Sequence, residues 1–592
     1  MIKTFIKEHW LILLFAFLLT LIIKSPLLAF PFVAGDAYRG INIYHHANMA
    51  VDEDFYLSRG KEVLEGHALG NPLIREGKDT NPDYYFNITE QVLVKPFYLL
   101  GLADVVNIAT LYTIYNSIGV FVLILLLYFF ALEFRPDKLF AVTVAVFVIS
   151  GYALLDYRAF FLPAFNIYGR SLTPYISSLA FFSYALLCVR ALKAPSLHRS
   201  FFAGAVFGAL AYLYSYAWTF ALIFNGFLFL MYAVKRDWRL VKYIVFISSL
   251  GIVIGAYNIA RAALFFSSPA GQQFSYFYNA VYGHALAYRK AGPFLLILFG
   301  IFAYRNRTDE SCPILYALLF AGWFSINQQF ITGVSIQPNH YLTYFAFPAL
   351  IIVFSYLFYS LAPNRNVRMI GCSFLIFVFL FNTGVEQYGA FSNTLGERLH
   401  EQNYQPALGT LRAAPRPGVV LAADDDPELL ITVYTPHDLF WQRNLARFNN
   451  NPLERHKDAL LLYLYLNREA RANPRAYLSR ILQENTPPSF YQAIYQDIEG
   501  YLSGFAMNEY YLRLNQRDEK VLQHRQRLLD SLVREYDSLV KDPNGFENLL
   551  TRYGVNWVLW DMTRQPEWDV SVLRGLREVV SSQGVLLFER TP

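Results

Sequence analysis

The sequence predicts a polytopic α-helical membrane protein with a C-terminal domain outside the membrane. The chain of 592 residues is 55% hydrophobic and only 16% charged, whereas average soluble domains are about 25% charged. Long apolar runs are confined to residues 1–388, and residues 389–592 have the charge of an ordinary globular domain. Basic residues fall in alternate gaps between the apolar runs. This composition excludes a disordered chain, a coiled coil and an ordinary cytosolic enzyme.

Residues 1–388 form the predicted transmembrane domain. A spanning helix needs about 20 apolar residues, and about eleven segments approach that criterion. The segment 201–234 would be about 51 Å long as one helix, so we expect it to break around Ser215–Trp218 and cross twice. The predicted spans are 10–32, 107–132, 139–157, 172–190, 201–215, 217–234, 243–260, 291–304, 313–330, 341–361 and 369–388.

The basic residues predict the orientation of the chain in the cell (inner or plasma) membrane. Basic loops favour the cytoplasmic side, and Lys3 and Lys7 place the N-terminus there. The basic loops all lie in the cytoplasm only if 201–234 crosses the membrane twice. With eleven crossings, the C-terminal domain is then extracytoplasmic. The loops assigned to the cytoplasm contain Arg135 and Lys138; Arg190, Lys193 and Arg199; Lys235, Arg236, Arg239 and Lys242; Arg305 and Arg307; Arg365 and Arg368.

The first outer loop, residues 34–106, is long and polar. Within it, Val92–Ala103 is apolar but too short to span a bilayer. We expect this segment to lie in the membrane interface or to re-enter the membrane.

The C-terminal domain, residues 389–592, is predicted to be α/β or mostly α. Its Asp424–Asp426 run is interpreted as a helix start, with a bound cation as the less favoured alternative. The predicted elements are strands at Val419–Ala423, Asn556–Trp560 and Val585–Glu589, and helices at Asp518–Lys541, Phe546–Tyr553 and Val570–Val580.

The first outer loop contains the strongest candidate for chemistry, the run Asp52-Glu53-Asp54 followed by Tyr56. A carboxylate just outside a membrane can act as a general base for a hydroxyl or amine acceptor, or it can bind a cation. The alternative is that the three acids only cap a helix over Phe55–Glu65.

A family resemblance favours the catalytic interpretation. The pattern Asp52-Glu53-x-x-Tyr56, a helix ending in Glu65-Gly66-His67, and the later Pro72 and Lys95-Pro96 resemble the first outer loop of GT-C glycosyltransferases. The protein mannosyltransferases and the aminoarabinose transferases of lipid A are the nearest in pattern. The layout of many helices, a large first outer loop and a C-terminal outer domain is also similar to theirs.

The resemblance implies a GT-C-like fold and an inverting enzyme that uses a polyprenyl- or dolichyl-phosphate sugar donor. The acceptor would be a lipid, a glycan or a protein, and no nucleic-acid partner is implied. Asp52 or Glu53 would be the base, with Asp54 and Asp36 as further candidates, since oligosaccharyltransferases have an essential Asp early in this loop. Tyr56 and Lys95 would contact substrate. No cofactor is predicted beyond a possible divalent cation.

Cations and amides in the other outer loops are candidate substrate contacts. Arg158 and Arg170 are predicted to bind the donor phosphate, because arginine forms bidentate contacts with phosphate; interfacial snorkelling is the alternative. The polar run that includes Gln337 and His340 would contact sugar hydroxyls or phosphate, or else hydrogen-bond between helices.

Two other functions remain open. A transporter or flippase of an envelope substrate is less favoured, because we find no internal repeat and the polar clusters lie at helix ends. A non-catalytic envelope scaffold would not account for the acidic run beside the interfacial Lys95-Pro96 segment.

Overall fold

The computed structural model describes residues 2–43, 50–79, 88–268, 271, 280–286, 291–422, 429–442, 451–481, 498 and 519–591. Helices dominate the described chain, and the main sheet lies in the C-terminal region. The predicted class, a polytopic helical protein with a C-terminal domain that contains a sheet, is confirmed.

The chain up to residue 401 is built almost entirely of helices. They are α1 (Ile2–Ala34), α2 (Ala50–Leu64), α3 (Ile88–Leu93), α4 (Lys95–Leu99), α5 (Ile108–Leu132), α6 (Lys138–Ser150), α7 (Tyr152–Tyr157), α8 (Tyr175–Lys193), α9 (Leu197–Leu213), α10 (Ser215–Val234), α11 (Trp238–Ser267), α12 (Ala291–Arg305), α13 (Ser311–Ser325), α14 (Gln329–Thr332), α15 (Pro338–Tyr341), α16 (Phe347–Leu361) and α17 (Arg365–Glu401). A short hairpin pairs β1 (Ala280–Tyr282) with β2 (Val334–Ile336).

Each of the eleven predicted spans contains an apolar helix. Among the described residues, seven helical segments are long and apolar enough to cross a membrane, and four shorter apolar helices, α6, α9, α12 and α13, fill the remaining positions. The predicted break in 201–234 lies at Tyr214, whose extended backbone separates α9 from α10.

The predicted span 139–157 is not one helix. It is divided into α6 and α7 at Gly151, where a Cβ would lie 2.4 Å from the ring of Phe147. The predicted span 369–388, in contrast, is part of the much longer α17, which continues without a break to Glu401.

In its described residues, the first outer loop contains α2, a turn-rich segment and the two short helices α3 and α4. Val92, Leu99 and Leu100 of this last part are 63–72% exposed. Apolar exposure of this extent suits a segment that lies against lipid.

The C-terminal domain, termed the outer domain after its predicted location, contains a five-stranded mixed sheet, so it is of the α/β type. The strand order is β4-β3-β5-β7-β6; β3 is parallel to β4 and β5, and β7 is antiparallel to β5 and β6. After α18 (Gln405–Ala413), its elements are β3 (Val419–Ala422), α19 (Leu429–Tyr434), β4 (Asp438–Leu439), α20 (Leu453–Leu466), α21 (Arg468–Ala472), α22 (Pro474–Ile481), α23 (Glu519–Lys541), α24 (Gly545–Arg552), β5 (Val555–Asp561), β6 (Leu576–Ser582) and β7 (Val585–Arg590).

Most predicted elements of this domain are present, and one is wrong. Val570–Val580 was predicted as a helix, but only a single 3₁₀ turn forms at Val570–Val572 before the chain continues as β6. Gly575 interrupts any helix with a φ of +68°, and the following residues instead pair with β7 at the sheet edge. The acidic run Asp424–Asp426 lies outside the described residues.

The first outer loop and the outer domain share one hydrophobic core. Leu57 and Leu64 of α2 belong to the same buried cluster as Leu430 and Val433 of α19. Backbone and charge contacts add to this packing: the amide of Leu439 donates to the carbonyl of Leu73 (2.7 Å) and Lys78 Nζ lies 2.6 Å from Asp438 Oδ1. Helix α2 is therefore held between the membrane helices and the outer domain.

Candidate functional site

The predicted acidic pair lies in the first turn of α2, and its two members have different environments. Glu53 is fully buried, while the side chain of Asp52 is 46% exposed. Negative charges are favourable at this end of a helix, where the backbone N–H groups point outward. Asp52 and Glu53 can therefore stabilise the start of the helix and also belong to a functional site.

Arg170 brings the two acids together. Its Nε lies 2.5 Å from Glu53 Oε1 and its Nη2 lies 2.9 Å from Asp52 Oδ2. The second oxygen of Glu53 accepts a hydrogen bond of 2.6 Å from the amide of Ser171. Glu53 thus has both oxygens bound inside the protein, whereas Asp52 has a large open surface.

The loop that carries Arg170 is fixed by polar side chains of two membrane helices. Asn116 of α5 donates to the carbonyls of Tyr168 (2.9 Å) and Arg170 (2.6 Å), and Lys24 of α1 donates to the carbonyl of Gly169 (2.9 Å). Burial by itself lowers the pKa of Arg170, but Glu53 and, more weakly, Asp52 raise it well above its usual value. The guanidinium therefore stays charged.

Tyrosines line the same cluster. The Tyr344 hydroxyl accepts from Arg170 Nη1 at 3.3 Å, and Thr173 shares a hydrogen bond of 2.7 Å with the Tyr56 hydroxyl. Burial raises the pKa of Tyr56, so its phenol stays protonated and can donate a hydrogen bond. The Arg170 guanidinium also lies 5.9 Å from the centre of the Tyr56 ring.

The predicted polar run after α14 reaches this cluster through Tyr344. The His340 ring stacks on Tyr344 with 5.3 Å between ring centres, and its Nδ1 lies 2.7 Å from the Tyr214 hydroxyl. Gln337 accepts a longer hydrogen bond of 3.4 Å from Tyr216. Asp52, Glu53, Tyr56, Arg170 and His340 are thus connected as one group.

Other predicted residues lie apart from the group. Asp54 is buried, and its charge adds to the effect of burial in raising the pKa of Tyr434 on the outer domain. Asp36, Lys95 and Arg158 are exposed. Within the described ranges, no hydrogen bond or ion pair connects these three to Asp52 or Arg170.

Several members of the cluster were not predicted. Tyr344 follows His340 by four residues, so helical spacing places both on one face. Lys24 and Asn116 are polar residues inside apolar runs, where an unpartnered polar group is expensive. The sequence therefore contains a signal for each of these three residues.

The described part of the cluster does not fit a divalent cation. Such ions prefer several carboxylate or carbonyl oxygens, but Arg170 and Ser171 occupy both oxygens of Glu53. In the described chain, a different acidic group, Glu454 and Glu535 with Asp458, has oxygens within 4.8 Å. There Lys457 already bridges the two glutamates at 3.0 Å each.

An apolar groove of about 500 Å³ lies between α3, α5, α8 and α9, and Ile254 of α11 also lines it. Its wall on α8 begins at Tyr175, two residues after Thr173, which is bound to Tyr56. The groove therefore starts close to the cluster in the chain and is lined by the first turns of α8. Residues that line it include Val92, Leu93, Ile118, Val122, Ile176 and Leu179.

No protein-family model matches the chain, and no curated protein matches it. Solved structures that match include the Archaeoglobus fulgidus oligosaccharyltransferase tethered to an acceptor peptide (TM-score 0.48, 12% identity, 100% of this chain and 75% of that chain). AglB from the same organism, in complex with an inhibitory peptide and a dolichol-phosphate, gives a TM-score of 0.45 at 11% identity over 99% of this chain and 75% of that one.

A third match is ArnT from Cupriavidus metallidurans bound to undecaprenyl phosphate, with a TM-score of 0.44, 12% identity and coverage of 97% of this chain and 98% of that chain. The matches are GT-C glycosyltransferases, the superfamily that the first-loop pattern resembles. TM-scores below 0.5 identify neither a substrate nor a reaction for this chain.

Proposed function

We propose that the protein is a GT-C type glycosyltransferase that transfers a sugar from a polyprenyl- or dolichyl-phosphate donor to an acceptor at the outer face of the cell membrane. The observation that carries the proposal is the half-exposed Asp52 carboxylate, held 2.9 Å from the buried Arg170. A general base must be both accessible and fixed in orientation, and Asp52 combines the two properties. The orientation, with the N-terminus in the cytoplasm, is part of the proposal.

In the proposed reaction, Asp52 accepts the proton of an acceptor hydroxyl or amine. The acceptor atom then forms a bond to C1 of the sugar, while the bond from C1 to the phosphate oxygen breaks and its electron pair leaves with the lipid phosphate. A direct displacement of this kind inverts the configuration at C1.

Glu53 and Arg170 are positioning residues in this proposal. Glu53 is fully buried and bound by Arg170 and the Ser171 amide, so it cannot reach an acceptor without losing both contacts. Arg170 forms ion pairs with both carboxylates, so its main role in this proposal is to hold them in place. Because the two acids already neutralise its positive charge, Arg170 attracts a phosphate less strongly than its sequence position suggested.

The donor phosphate would instead be contacted by exposed cations near the membrane surface. Arg158 and Lys95 are exposed and form no ion pair among the described residues. Lys95 begins α4, two residues after the end of α3, which contributes Val92 and Leu93 to the apolar groove. A lipid tail bound in the groove would therefore bring its phosphate toward Lys95. The apolar groove would bind the tail while the Lys95 ammonium binds the phosphate.

The proposal is tested with the full-length protein in proteoliposomes and a panel of polyprenyl phosphates that carry a neutral hexose or an amino sugar. The measurement is transfer of labelled sugar to envelope lipid, glycan or protein. We expect Asp52→Asn to lower the transfer rate by a factor of about 10²–10⁴, the usual contribution of a general base.

Asp36→Asn is the matched control, because Asp36 is also an acid of the first loop but is exposed and outside the cluster. It should keep the wild-type rate. Full activity of the Asp52→Asn protein would refute the assignment, and loss of activity in the Asp36→Asn protein alone would move the base to Asp36.

A further inference from the structure

A second cavity, lined by both charged and apolar side chains, lies at the other end of α8 from Arg170. It has a volume of about 630 Å³ and is lined by the ends of α5 and α8 and the start of α9. Helix α8 has 19 residues and is therefore about 28 Å long, close to the thickness of a bilayer core. Arg170 lies five residues before the start of α8 and the cavity lies where α8 ends, so the two sites are at opposite ends of this helix.

The cavity carries an excess of positive charge. Arg190, Lys193 and Arg199 surround a single carboxylate, Glu133, which leaves a formal net charge of +2 with His198 neutral. Glu133 lies 2.7 Å from Arg190 Nε and 3.7 Å from Lys193 Nζ. Within the described residues, Arg199 has no ion pair, and its side chain donates to the carbonyl of Ala194 at 3.2 Å.

An apolar surface adjoins the cationic one. Phe202 lines the cavity together with Leu187, and Phe202 is 48% exposed. Leu197 and Phe201 on the same helix are 67% and 50% exposed. A ligand with a charged end and an apolar end would contact both surfaces at once.

We propose that this cavity binds the phosphate-bearing headgroup of an anionic phospholipid in the leaflet opposite Asp52. The headgroup phosphate lies among Arg190, Lys193 and Arg199, and an acyl chain lies along Phe202. Basic pockets between transmembrane helices are the typical setting for such headgroups. The proposal is independent of the proposed glycosyltransferase activity.

Orientation of the chain alone does not require this arrangement. Exposed basic residues are sufficient to orient a membrane protein, and Arg236, Arg239 and Lys242 at the same end of the helices are exposed in this way. The cationic cavity differs because its three cations line one common volume, which Leu187 and Phe202 also line.

The test measures lipid binding to the full-length protein by native mass spectrometry in detergent. The probes are cardiolipin and phosphatidylglycerol, with phosphatidylcholine as the zwitterionic reference. Each cation near an anionic headgroup raises the affinity by about fivefold. We therefore expect R190Q/K193Q/R199Q, which loses three cations, to bind the anionic lipids about a hundredfold more weakly than wild type. The matched control R236Q/R239Q/K242Q also loses three charges and should change binding by less than about threefold.

A gain of binding guards against misfolding of the triple variant. Glu133→Gln removes the competing carboxylate and should tighten binding of phosphatidylglycerol about fivefold. Equal losses in the two triple variants, or unchanged binding in the Glu133→Gln protein, would overturn the proposal. Binding of soluble glycerol 3-phosphate as tight as that of phosphatidylglycerol would overturn the lipid as its source.

Discussion

Ser58 of α2 and Thr432 of α19 are hydrogen-bonded, with 2.7 Å between their hydroxyl oxygens, and both side chains are buried. Ser58 lies six residues after Asp52, on the helix that carries the acidic pair. The outer domain thus contacts α2, the helix of Asp52, through a hydrogen bond as well as through the shared hydrophobic core. We infer that the outer domain helps to position Asp52.

Removal of the Thr432 hydroxyl should weaken this connection. In a double-mutant cycle of Ser58→Ala and Thr432→Val, we expect a coupling energy of about 0.5–1.5 kcal/mol in the free energy of unfolding, the net value of a buried hydrogen bond. Thr435→Val is the control, because Thr435 is also buried and bonds within its own domain, to the carbonyl of Ile431. Its coupling with Ser58→Ala should be close to zero, and equal couplings would contradict the inference.

Glu53→Gln should mainly lower the stability of the protein, whereas Asp52→Asn should mainly lower the rate of sugar transfer. Breaking a buried ion pair costs about 3–5 kcal/mol, so Glu53→Gln should strongly lower the thermal unfolding midpoint. Asp52 is 46% exposed, and loss of its pair with Arg170 should cost at most about 1 kcal/mol while lowering the rate of sugar transfer by a factor of about 10²–10⁴. Unfolding curves and transfer rates of both variants check this, and equal destabilisation by the two would show that their roles are not divided.

A bulky residue in the apolar groove should compete with the lipid tail. Ile118 lines the groove and is 56% exposed, so Ile118→Trp should raise the KM for the lipid-linked donor by about tenfold or more, as expected when a large apolar contact is lost, with a smaller change in kcat. Ile252→Trp, at an exposed position on α11 outside the groove, should leave KM unchanged. Similar KM values for both variants would exclude the groove as the tail site.

Asp561 should make the contact between α17 and the outer domain sensitive to acid. Its Oδ2 lies 2.6 Å from His400 Nε2 and from the Tyr404 hydroxyl. Burial alone would raise the pKa of Asp561, but hydrogen bonds from Thr563, Tyr404 and His400 lower it. The pKa in the folded state is therefore below the unfolded value of about 3.9.

Because a depressed pKa favours the folded state only when the group is ionised, this stabilisation is present above about pH 4 and is lost as the pH falls through the folded-state pKa. Asp561→Asn should be less stable than wild type at pH 7, and the gap between their unfolding midpoints should narrow below pH 4. Asp537→Asn, at an exposed position, should show no such dependence. A gap that stays constant with pH would contradict the assignment to Asp561.

The orientation can be measured by thiol labelling. The three native cysteines, Cys188, Cys312 and Cys372, are all buried, so an introduced cysteine should dominate the signal. We expect Arg577→Cys, whose native side chain is 71% exposed in the outer domain, to react with an impermeant reagent in intact cells. Arg239→Cys should react only after lysis, and the reverse pattern would invert the proposed topology.

The sequence predicted the helices well because a bilayer imposes one length and one composition on every crossing. The break in 201–234 was predicted from the length of the segment and from the alternation of basic loops, and the structure has it at Tyr214. Strand β6 was mistaken for a helix, because Val570–Val580 has no strict alternation and its conformation depends on pairing with β7. Such a tertiary contact overrides local preference.

The site was only partly predictable for a similar reason. Motif and charge indicated Asp52, Glu53 and Arg170 separately, but 117 residues separate Glu53 from Arg170, and no spacing rule connects them. The different exposure of the two adjacent acids is set by packing around α2, which a sequence pattern does not record.

Helix α17 runs unbroken from the apolar part of the chain to Glu401, and His400 near its end is bound to Asp561. The outer domain is therefore not a detachable module. A chimera that exchanges this domain at residue 388 would cut through a continuous helix and mismatch the surface that packs on α2. A functional exchange of this domain would have to preserve both the continuous α17 and the surface that packs on α2.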